Sequence, residues 1–586
     1  MTKTMNEIRE MLRNVQKPGR YIGCETNSVR KSREGRTTVA LAYPDTYEIG
    51  MSYLGLRILY HLLNDMDDVA CERVFAPWVD MERELRSRGR RLFSLESKTD
   101  LDRFDIVGFS LSYELTYTNV LNMLDLGGIT LESSERSDEE PLVIAGGACC
   151  FNPEPLSSFI DAFIIGDAEE ALPDFIETFR KLKGRGARRE EILRSLASLR
   201  GVYVPSLYEA RYEKGRFAGI RPIDPKAPPV IEKAVVTDLE NAYYPEKQIV
   251  PLVKIVHDRT AVEVMRGCPN RCRFCQASVI NRPVRIRSVE RLRDICLNTY
   301  RNTGNERIAL LSLSSVNYPH LASLIRELNS GFRGKGVGIS IPSLRVDEAF
   351  YGIPEMISAI RKAGLTFAPE TASEGMRTAI GKDIDNAVLC RSASIAFSKG
   401  WRRLKLYFMV GFPGTDARAE AEKIFDMALE LSGLKKKVSG GSAEIKVSVN
   451  PFVPKPHTPF QWLGMREMSY LKEVMAAFNL KKSRKIKVEM HDLGQSLLEA
   501  CLSRGGRETG RVIRSAWGKG ARMDSWNDLF DIDKWNSSFA ENGMDMSDCA
   551  GRVYSFDDAL PWGHVLTSVE SSYLMKELEA SGLAGP

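Results

Sequence analysis

The sequence has no long apolar segment and no large excess of either charge. No hydrophobic run approaches the roughly 20 residues that span a bilayer, and the N-terminal stretch MTKTMNEIREMLRNVQKPGR lacks the apolar core of a signal peptide. Lysine and arginine number 82 against 77 aspartate and glutamate residues. We therefore predict a cytoplasmic protein without a membrane span. The balance excludes a histone-like polycation but leaves a local basic patch and a nucleic-acid substrate open.

Cysteine is scarce outside one short stretch. The chain has 11 cysteines, an odd number without an export signal, which argues against a disulfide framework. Eight of them are isolated or adjacent and are typical of small buried side chains. The other three, Cys268, Cys272 and Cys275, fall within eight residues of one another. Their spacing is the strongest chemical signal in the chain.

The length and composition predict a folded α/β protein of several domains. The chain has 586 residues, of which 43% are hydrophobic and 27% charged, which excludes a disordered or fibrous protein. A helical segment (1–36) precedes a domain at 37–185, where strand and helix patterns alternate. Four strands are predicted there, at 37–44, 105–113, 141–148 and 161–168. This order is typical of a doubly wound, Rossmann-type parallel sheet, which binds ligands at the carboxyl ends of its strands.

A second alternating region follows a proline-rich connector at 186–251. Between residues 252 and 465 we predict six strand–helix units, one of which combines a strand at 336–344 with a helix at 348–363. A complete eight-unit barrel needs about 250 residues, so a partial (β/α)6 barrel fits better. The remaining residues, 466–586, predict a mixed, α-rich C-terminal cap. Helical patterns occur there at 467–483 and 493–502.

The three clustered cysteines follow the first predicted barrel strand and therefore lie at the catalytic face. Three thiolates can hold three irons of a cubane cluster, whereas a cluster held entirely by protein takes four cysteines. One iron would then keep an open position for an external ligand. A structural zinc site needs four ligands, and His257 is the only nearby candidate. Zinc and unrelated thiols are the alternatives that the spacing leaves open.

The segment CPNRCRFC (268–275), with an aromatic residue before its last cysteine, resembles the radical S-adenosylmethionine (SAM) superfamily. The resemblance implies a [4Fe–4S] cluster bound by Cys268, Cys272 and Cys275. It further implies that SAM chelates the open iron and is cleaved to a 5′-deoxyadenosyl radical. A reducing partner of the flavodoxin or ferredoxin type is also implied.

The resemblance extends to later strand ends and implies a set of SAM-binding residues. Ser314 and Ser315 stand where many relatives have a Gly-Gly-Glu turn, and the segments PETASEGMRTAIGK and YFMVGFPGTD resemble SAM-contacting segments of the family. The implied SAM-binding residues are Ser314, Ser315, Ser340, Arg345, Glu370, Arg377, Gly411, Pro413 and Gly414.

The N-terminal domain resembles that of the cobalamin-binding radical SAM subfamily. The passage IAGGACCFNPEPLSSFIDAFIIGDAEEAL carries the likeness, which implies cofactor contacts from Gly146, Gly147, Gly166 and Glu169. In the subfamily's Asp-x-His-x-x-Gly motif the histidine binds cobalt. Here the segment is Asp45-Thr-Tyr47-Glu-Ile-Gly50, and a neutral phenol is a poor cobalt ligand. We expect any cobalamin to bind without Tyr47 as ligand. The alternative is a retained scaffold without cobalamin.

The chain as a whole resembles an uncharacterised branch of this subfamily. The reaction we favour is methylation, or a related modification, of an unreactive carbon. Four tryptophans and several arginines after residue 503 suit RNA or a ribosome-associated protein as the substrate. They equally suit a folded cap with the tryptophans in its core. The alternatives are an iron–sulfur scaffold or electron carrier, and a radical SAM enzyme that acts on a small metabolite and carries a relic N-terminal domain.

Overall fold

The computed structural model describes residues 3–213, 216–341 and 365–583. Its N-terminal region is a six-stranded sheet in the order β2-β1-β3-β4-β5-β6. The first five strands are parallel, and β6 runs antiparallel to β5. The strands are β1 (Thr37–Tyr43), β2 (Val69–Phe75), β3 (Ile106–Ser110), β4 (Leu142–Gly146), β5 (Ala162–Ile164) and β6 (Val202–Tyr203).

Helices cover both faces of this sheet, so its strands are almost fully buried. All seven residues of β1 are buried, as expected of an apolar run in a parallel sheet. The fold class predicted from the sequence is confirmed. The helices of this region are Lys3–Leu12, Tyr47–Gly50, Leu54–Asp65, Val79–Ser87, Tyr117–Gly127, Ala168–Lys183 and Arg189–Leu196.

Strand β2 was not predicted, because its sequence VACERVF carries two charges in the middle. Both charged residues are nevertheless buried. Arg73 forms ion pairs with Glu25 and Glu96 at 2.8 and 2.7 Å, while Glu72 accepts a hydrogen bond from the Ser94 hydroxyl at 2.5 Å. Tertiary partners therefore compensate charges that, read locally, argue against a buried strand.

A linking region separates the first sheet from the second parallel system. Strands β7 (Tyr208–Glu213) and β8 (Arg216–Pro222) pair antiparallel to each other. The short strand β9 (Ile231–Glu232) pairs with β19 (Val565–Leu566) near the end of the chain. The C-terminal segment thus adds its last strand to the linking region.

The second parallel system contains a three-stranded sheet, β10-β13-β14, and a four-stranded sheet, β15-β16-β17-β18. An antiparallel pair, β11 and β12, accompanies the first. The strands are β10 (Thr260–Glu263), β11 (Met265–Arg266), β12 (Arg285–Ile286), β13 (Arg307–Leu311), β14 (Gly338–Ser340), β15 (Leu365–Glu370), β16 (Arg403–Val410), β17 (Glu444–Pro451) and β18 (Ile486–Met490). The helices are Gln276–Ile280, Val289–Thr303, Leu321–Gly331, Glu374–Ala379, Asn386–Ser398, Ala417–Ser439 and Met468–Leu480.

Strand β18 adds a seventh unit to the six that the sequence predicts. It lies in the stretch we expected to form the cap, yet it pairs in parallel with β17 over five residues. Its sequence IKVEM alternates apolar and charged residues and was too short to recognise. The helix predicted at 348–363 lies outside the described residues. The last three residues of the strand predicted at 336–344 also lie outside them.

The C-terminal segment packs against the first sheet as well as the barrel. Its helices are Leu493–Arg504, Thr509–Gly518, Ile532–Glu541, Met546–Gly551 and Ser571–Ser581. Trp535 and Trp562 are each 1% exposed. The Trp526 indole donates a hydrogen bond to Asp45 at 3.0 Å and contacts the ring of Trp78. These tryptophans therefore serve packing.

Candidate active site

The cysteine cluster begins directly after β11, at a turn that requires glycine. Gly267 has φ +86°, and a Cβ there would lie within 2.8 Å of the carbonyl oxygens of Asn281 and Pro283. Cys268 follows and is buried, while Cys272 and Cys275 are partly exposed and none forms a disulfide. Cys275 precedes the helix Gln276–Ile280. Three cysteines without disulfide bonds are thus held on one loop at the carboxyl end of the barrel strands.

The donor set fits a cluster better than a single ion. Among the residues that the structure describes, no group of three or more His, Cys, Asp or Glu side chains could hold one metal ion. In a cubane cluster each thiolate binds a different iron, so the sulfur atoms need not converge on one point. Thiolates are also the ligands that iron–sulfur clusters use.

Asparagine side chains connect the cysteine loop to the end of β13. The Asn270 amide donates to the sulfur of Cys268 at 3.3 Å and to the Asn317 side-chain oxygen at 3.1 Å. The Ser314 hydroxyl donates to the same Asn317 oxygen at 2.6 Å. Ser314 is therefore brought to the cysteine loop, as the sequence predicts. Asn270 and Asn317 were missed, although Asn270 lies inside the cysteine motif.

Two other predicted serines are used locally. Ser315 is buried, and its hydroxyl shares a 2.9 Å hydrogen bond with that of Ser312. The Ser340 hydroxyl donates to the backbone oxygen of Ile308 at 3.2 Å, within its own sheet. Arg345 lies outside the described residues.

The segment after the helix Glu374–Ala379, which follows β15, also contacts the cysteine loop. The Arg273 backbone N–H donates to Ile380 at 2.9 Å, and a Cβ on Gly381 would lie 2.6 Å from the backbone oxygen of Arg271. Just beyond, Lys382 forms an ion pair of 2.7 Å with Glu370. Glu370 has φ +69°, an unusual backbone for a non-glycine residue, at the end of its strand. Predicted residue Glu370 therefore lies next to the segment that packs on the cysteines.

Arg377, in contrast, supports the backbone of its own segment. It is 1% exposed, donates to the backbone oxygen of Thr371 at 2.9 Å and is hydrogen-bonded to the side chain of Asn386. Burial lowers the pKa of this guanidinium below its ordinary value. Its contacts are those of a residue that fixes a turn.

The glycine-rich turn after β16 is stabilised by a buried carboxylate. Gly411 and Gly414 have φ +92° and +79°, with Pro413 between them. The Gly411 N–H donates to Glu420 Oε2 at 3.1 Å, and the Tyr470 hydroxyl donates to the same oxygen at 2.8 Å. Burial raises the pKa of Glu420 to about 7. Glu420 was missed because it reads as an ordinary residue of an amphipathic helix.

A cavity of about 590 Å³ lies between the carboxyl ends of the first sheet and the start of the barrel. It is mostly apolar, and four of the predicted cofactor residues line it: Gly146, Gly147, Gly166 and Glu169. From the barrel side, the lining includes Glu263, Arg266 and Gly267, the residue before Cys268. The cavity therefore connects the ligand-binding edge of the first sheet to the cysteine loop.

Arg266 joins the two sides of this cavity. Its guanidinium lies 3.2 Å from Asp167, 2.5 Å from Glu169 and 2.9 Å from Glu263. Burial alone would raise the pKa of Asp167, but Arg266 and Arg285 outweigh burial and hold that pKa below its ordinary value. These ion pairs of Arg266, which we call the Arg266 strap, thus link the first sheet to the barrel at the edge of the cavity.

The Asp45–Gly50 segment does not line the cavity. The Tyr47 hydroxyl donates to Glu25 at 3.0 Å within the protein core, and burial raises its pKa. Asp45 accepts hydrogen bonds from the C-terminal segment, and Gly50 packs against Phe75. Among the described residues that line the cavity there is no histidine, whereas Tyr53 is one of them.

A second strap connects loops beyond β3 and β17. Lys455 lies 2.8 Å from both Glu114 and Glu499, and the Tyr113 hydroxyl donates to Glu499 at 3.1 Å. Nearby, His457 is fully buried with its Nε2 2.8 Å from the Phe151 backbone oxygen, and burial lowers its pKa to about 4. His457 is therefore a neutral packing residue.

Two stretches of the chain match models of one superfamily. Residues 55–205 match the family described as radical SAM proteins, N-terminal, and residues 262–428 match the radical SAM superfamily. The chain belongs to the radical SAM superfamily. Its cofactors are accordingly a [4Fe–4S] cluster and SAM. The matched regions contain strands β2 to β6 of the first sheet and the cysteine loop.

Other similar proteins span most of the chain. An uncharacterised protein of Methanocaldococcus jannaschii is 26% identical over 507 residues, which cover 86% of this chain and 97% of that protein. The radical SAM methyltransferase TsrM of Kitasatospora setae is 14% identical and aligns over 71% of this chain and 75% of its own, with a TM-score of 0.47. The cobalamin-dependent SAM radical enzyme OxsB is 13% identical and aligns over 92% of this chain and 77% of its own, with a TM-score of 0.47. Both TM-scores lie below 0.5.

None of the described helices is both long and apolar enough to cross a bilayer.

Proposed function

We propose that this protein is a radical SAM enzyme in which Cys268, Cys272 and Cys275 bind the cluster and the first sheet binds cobalamin. The reaction we favour is methylation, or a related modification, of an unreactive carbon in a macromolecular substrate. We assign the first domain to 37–185, the barrel to 252–465 and the cap to 466–586, with β6 from the connector extending the first sheet and β18 extending the barrel sheet. A flavodoxin- or ferredoxin-type protein would supply the electrons.

The observation that carries the proposal is the cavity shared by the two halves. Ligands of doubly wound sheets bind outside the carboxyl ends of the strands, and this cavity lies there. The same cavity is lined by Gly267, the neighbour of Cys268. A largely apolar space of about 590 Å³ suits the apolar face of a large, flat cofactor.

The protein's own groups position and enclose the cofactors. Asn270 and Ser314 hold the cysteine loop against the end of β13. The straps of Arg266 and Lys455 keep the first sheet over the barrel mouth. When bound, the cluster supplies the electron that cleaves SAM, and cobalamin supplies a methyl carrier.

The cluster assignment is tested by iron content and SAM cleavage after anaerobic reconstitution. The parent protein should hold four irons and, with a reductant, release 5′-deoxyadenosine. Combined substitution of Cys268, Cys272 and Cys275 by alanine should abolish both. Cys296→Ala is the matched control, because Cys296 is buried in the helix Val289–Thr303 and should retain both. A cluster that survives the triple substitution would refute the assignment.

The cobalamin assignment is tested by retention of the cofactor, independently of turnover. Leu59→Trp should fill part of the cavity that Leu59 lines and reduce the cobalamin retained. Leu429→Trp on an exposed helix surface should retain it. The spectrum should be base-off and identical in Tyr47→Phe, because Tyr47 lies outside the cavity. Failure of the parent protein to retain cobalamin would leave the barrel chemistry but favour a relic first sheet.

A further inference from the structure

In the part of the chain that the structure describes, most residues on one face of the β15–β18 sheet are exposed or half-buried and include aligned cations; we call this the uncovered face. The opposite face packs its apolar residues under the helix Ala417–Ser439 and its neighbours. On the uncovered face, Lys405, Lys446 and Lys487 lie directly opposite one another on three adjacent strands. Lys446 and Lys487 have side chains 46% and 75% exposed. We call these three residues the lysine row.

The neighbouring row and the lower edge of the sheet add further positive charge. The next side chains on the same face lie two residues nearer the start of each strand, and they are Arg403, Glu444 and Lys485. Backbone hydrogen bonds join the three strands at this position. Exposed cations surround these strand starts: Lys399, Arg402, Lys436, Lys437, Lys482 and Arg484. Residues 399–490 contain 18 lysines and arginines against nine aspartates and glutamates. The small positive charge of the whole chain is therefore concentrated here.

Stability does not account for the lysine row. Like charges directly opposite one another on neighbouring strands destabilise a sheet. Glu489 is the carboxylate that pairs with the row, at 2.6 Å from Lys446 and 2.7 Å from Lys487, and exposed pairs of this kind contribute little. The row lies five residues before the end of β16, or roughly 16 Å from the barrel mouth. An anionic ligand would relieve the repulsion.

We propose that the lysine row and the basic edge below it bind the phosphate backbone of an RNA substrate. This inference rests on the proposed function, because it names the class of the macromolecular substrate. Adjacent strands space the lysines by about 4.8 Å, and each ammonium is a flexible point charge suited to phosphate. Lys405 also lies over the ring of Tyr407, 4.3 Å from its centroid, on the same face. A basic track beside an aromatic ring favours nucleic acid over an acidic protein.

The test is RNA binding by the reconstituted protein. Binding is measured by fluorescence anisotropy with a labelled single-stranded RNA of about 20 nucleotides. Substitution of Lys405, Lys446 and Lys487 by glutamine should weaken binding about tenfold or more. The slope of log affinity against log salt should fall by about 2, since each contact to single-stranded nucleic acid contributes about 0.7. Lys487→Glu, at a highly exposed position, should weaken binding on its own.

A matched control removes equal charge elsewhere. Lys181, Arg185 and Arg188 are exposed residues near the end of the first domain, and their combined replacement by glutamine should leave affinity and salt slope unchanged. Equal affinity of the lysine-row variant and the parent would overturn the inference. Displacement of RNA by polyglutamate at equal charge concentration would also overturn it, in favour of an acidic protein. If RNA binding fails while SAM cleavage proceeds, this inference falls and the proposed function remains.

Discussion

The two parallel sheet systems use their surfaces differently. In the first sheet β1 is buried at all seven residues, so only the carboxyl edge is left to meet a ligand. In β16 exposed or half-buried residues alternate with buried ones, because helices cover a single face. The first sheet therefore acts at its edge, whereas the second presents both an edge and a face. Charges buried in the first should be costly to disturb, and charges on the open face of the second should not.

The largest effect is expected at Arg73, which is buried on the edge strand β2 of the first sheet. Arg73→Met would leave Glu25 and Glu96 buried without their cation, and breaking a buried pair in this way costs about 3–5 kcal/mol. Chemical denaturation would measure the loss. Arg86→Met is the control, since Arg86 is 42% exposed and its ion pairs are weak. Equal losses would remove the contrast between buried and exposed charge.

Two neighbouring residues of β16 test the two faces of the second sheet. Leu406 is fully buried under the helices, so Leu406→Ala should cost about 3 kcal/mol. Tyr407 lies on the uncovered face, and Tyr407→Ala should cost no more than about 1 kcal/mol. The same denaturation experiment compares them. A similar cost at both positions would show that the second face is also packed.

Glu420 is the buried charge on the covered side of the second sheet. Its folded pKa of about 7 exceeds the ordinary 4.5, so the native state holds the proton more tightly than the unfolded state. Stability should therefore fall as the pH rises from about 4.5 to about 7, by on the order of 2 kcal/mol. Glu420→Gln cannot ionise and should have a higher melting temperature than the parent at about pH 8 but not at about pH 4. The prediction fails if the difference between the two proteins is independent of pH.

The smallest effect is expected on the open face. Lys446→Gln should change the free energy of unfolding by less than about 0.5 kcal/mol, because its partner Glu489 is also exposed. Thermal unfolding at low and high salt checks this. A loss comparable to that at Arg73 would mean that this face is covered by another part of the molecule.

Local sequence patterns were sufficient to predict the strands whose apolar runs are uninterrupted. The apolar strands β1, β3, β4 and β5 were predicted, although the predictions for β3 and β5 run three and four residues beyond their ends, and the helix Val79–Ser87 was not predicted. β2 was missed because charged residues interrupt its apolar pattern, and burial of those charges depends on partners 20 or more residues away. β18 alternates apolar and charged residues but was too short to recognise. Of the predicted cofactor residues, Ser314 contacts the cysteine loop through Asn317, Glu370 lies beside the segment that packs on that loop, and Gly146, Gly147, Gly166 and Glu169 line the cavity. Arg377 and the Asp45–Gly50 segment contact their own surroundings instead.

The sequence by itself determined the superfamily, the parallel sheets and the three cysteines, because each depends on short spacing or on local periodicity. Tertiary structure alone decided which strand ends, loops and side chains lie next to one another. Asn270 and Asn317 meet across 47 residues of sequence, and Glu420 contacts Tyr470 across 50. Arg266 faces carboxylates almost 100 residues earlier. The lysine row likewise exists only through the register of three strands, since each lysine is unremarkable along the chain. Such juxtapositions follow from strand pairing and packing, and no local pattern encodes them.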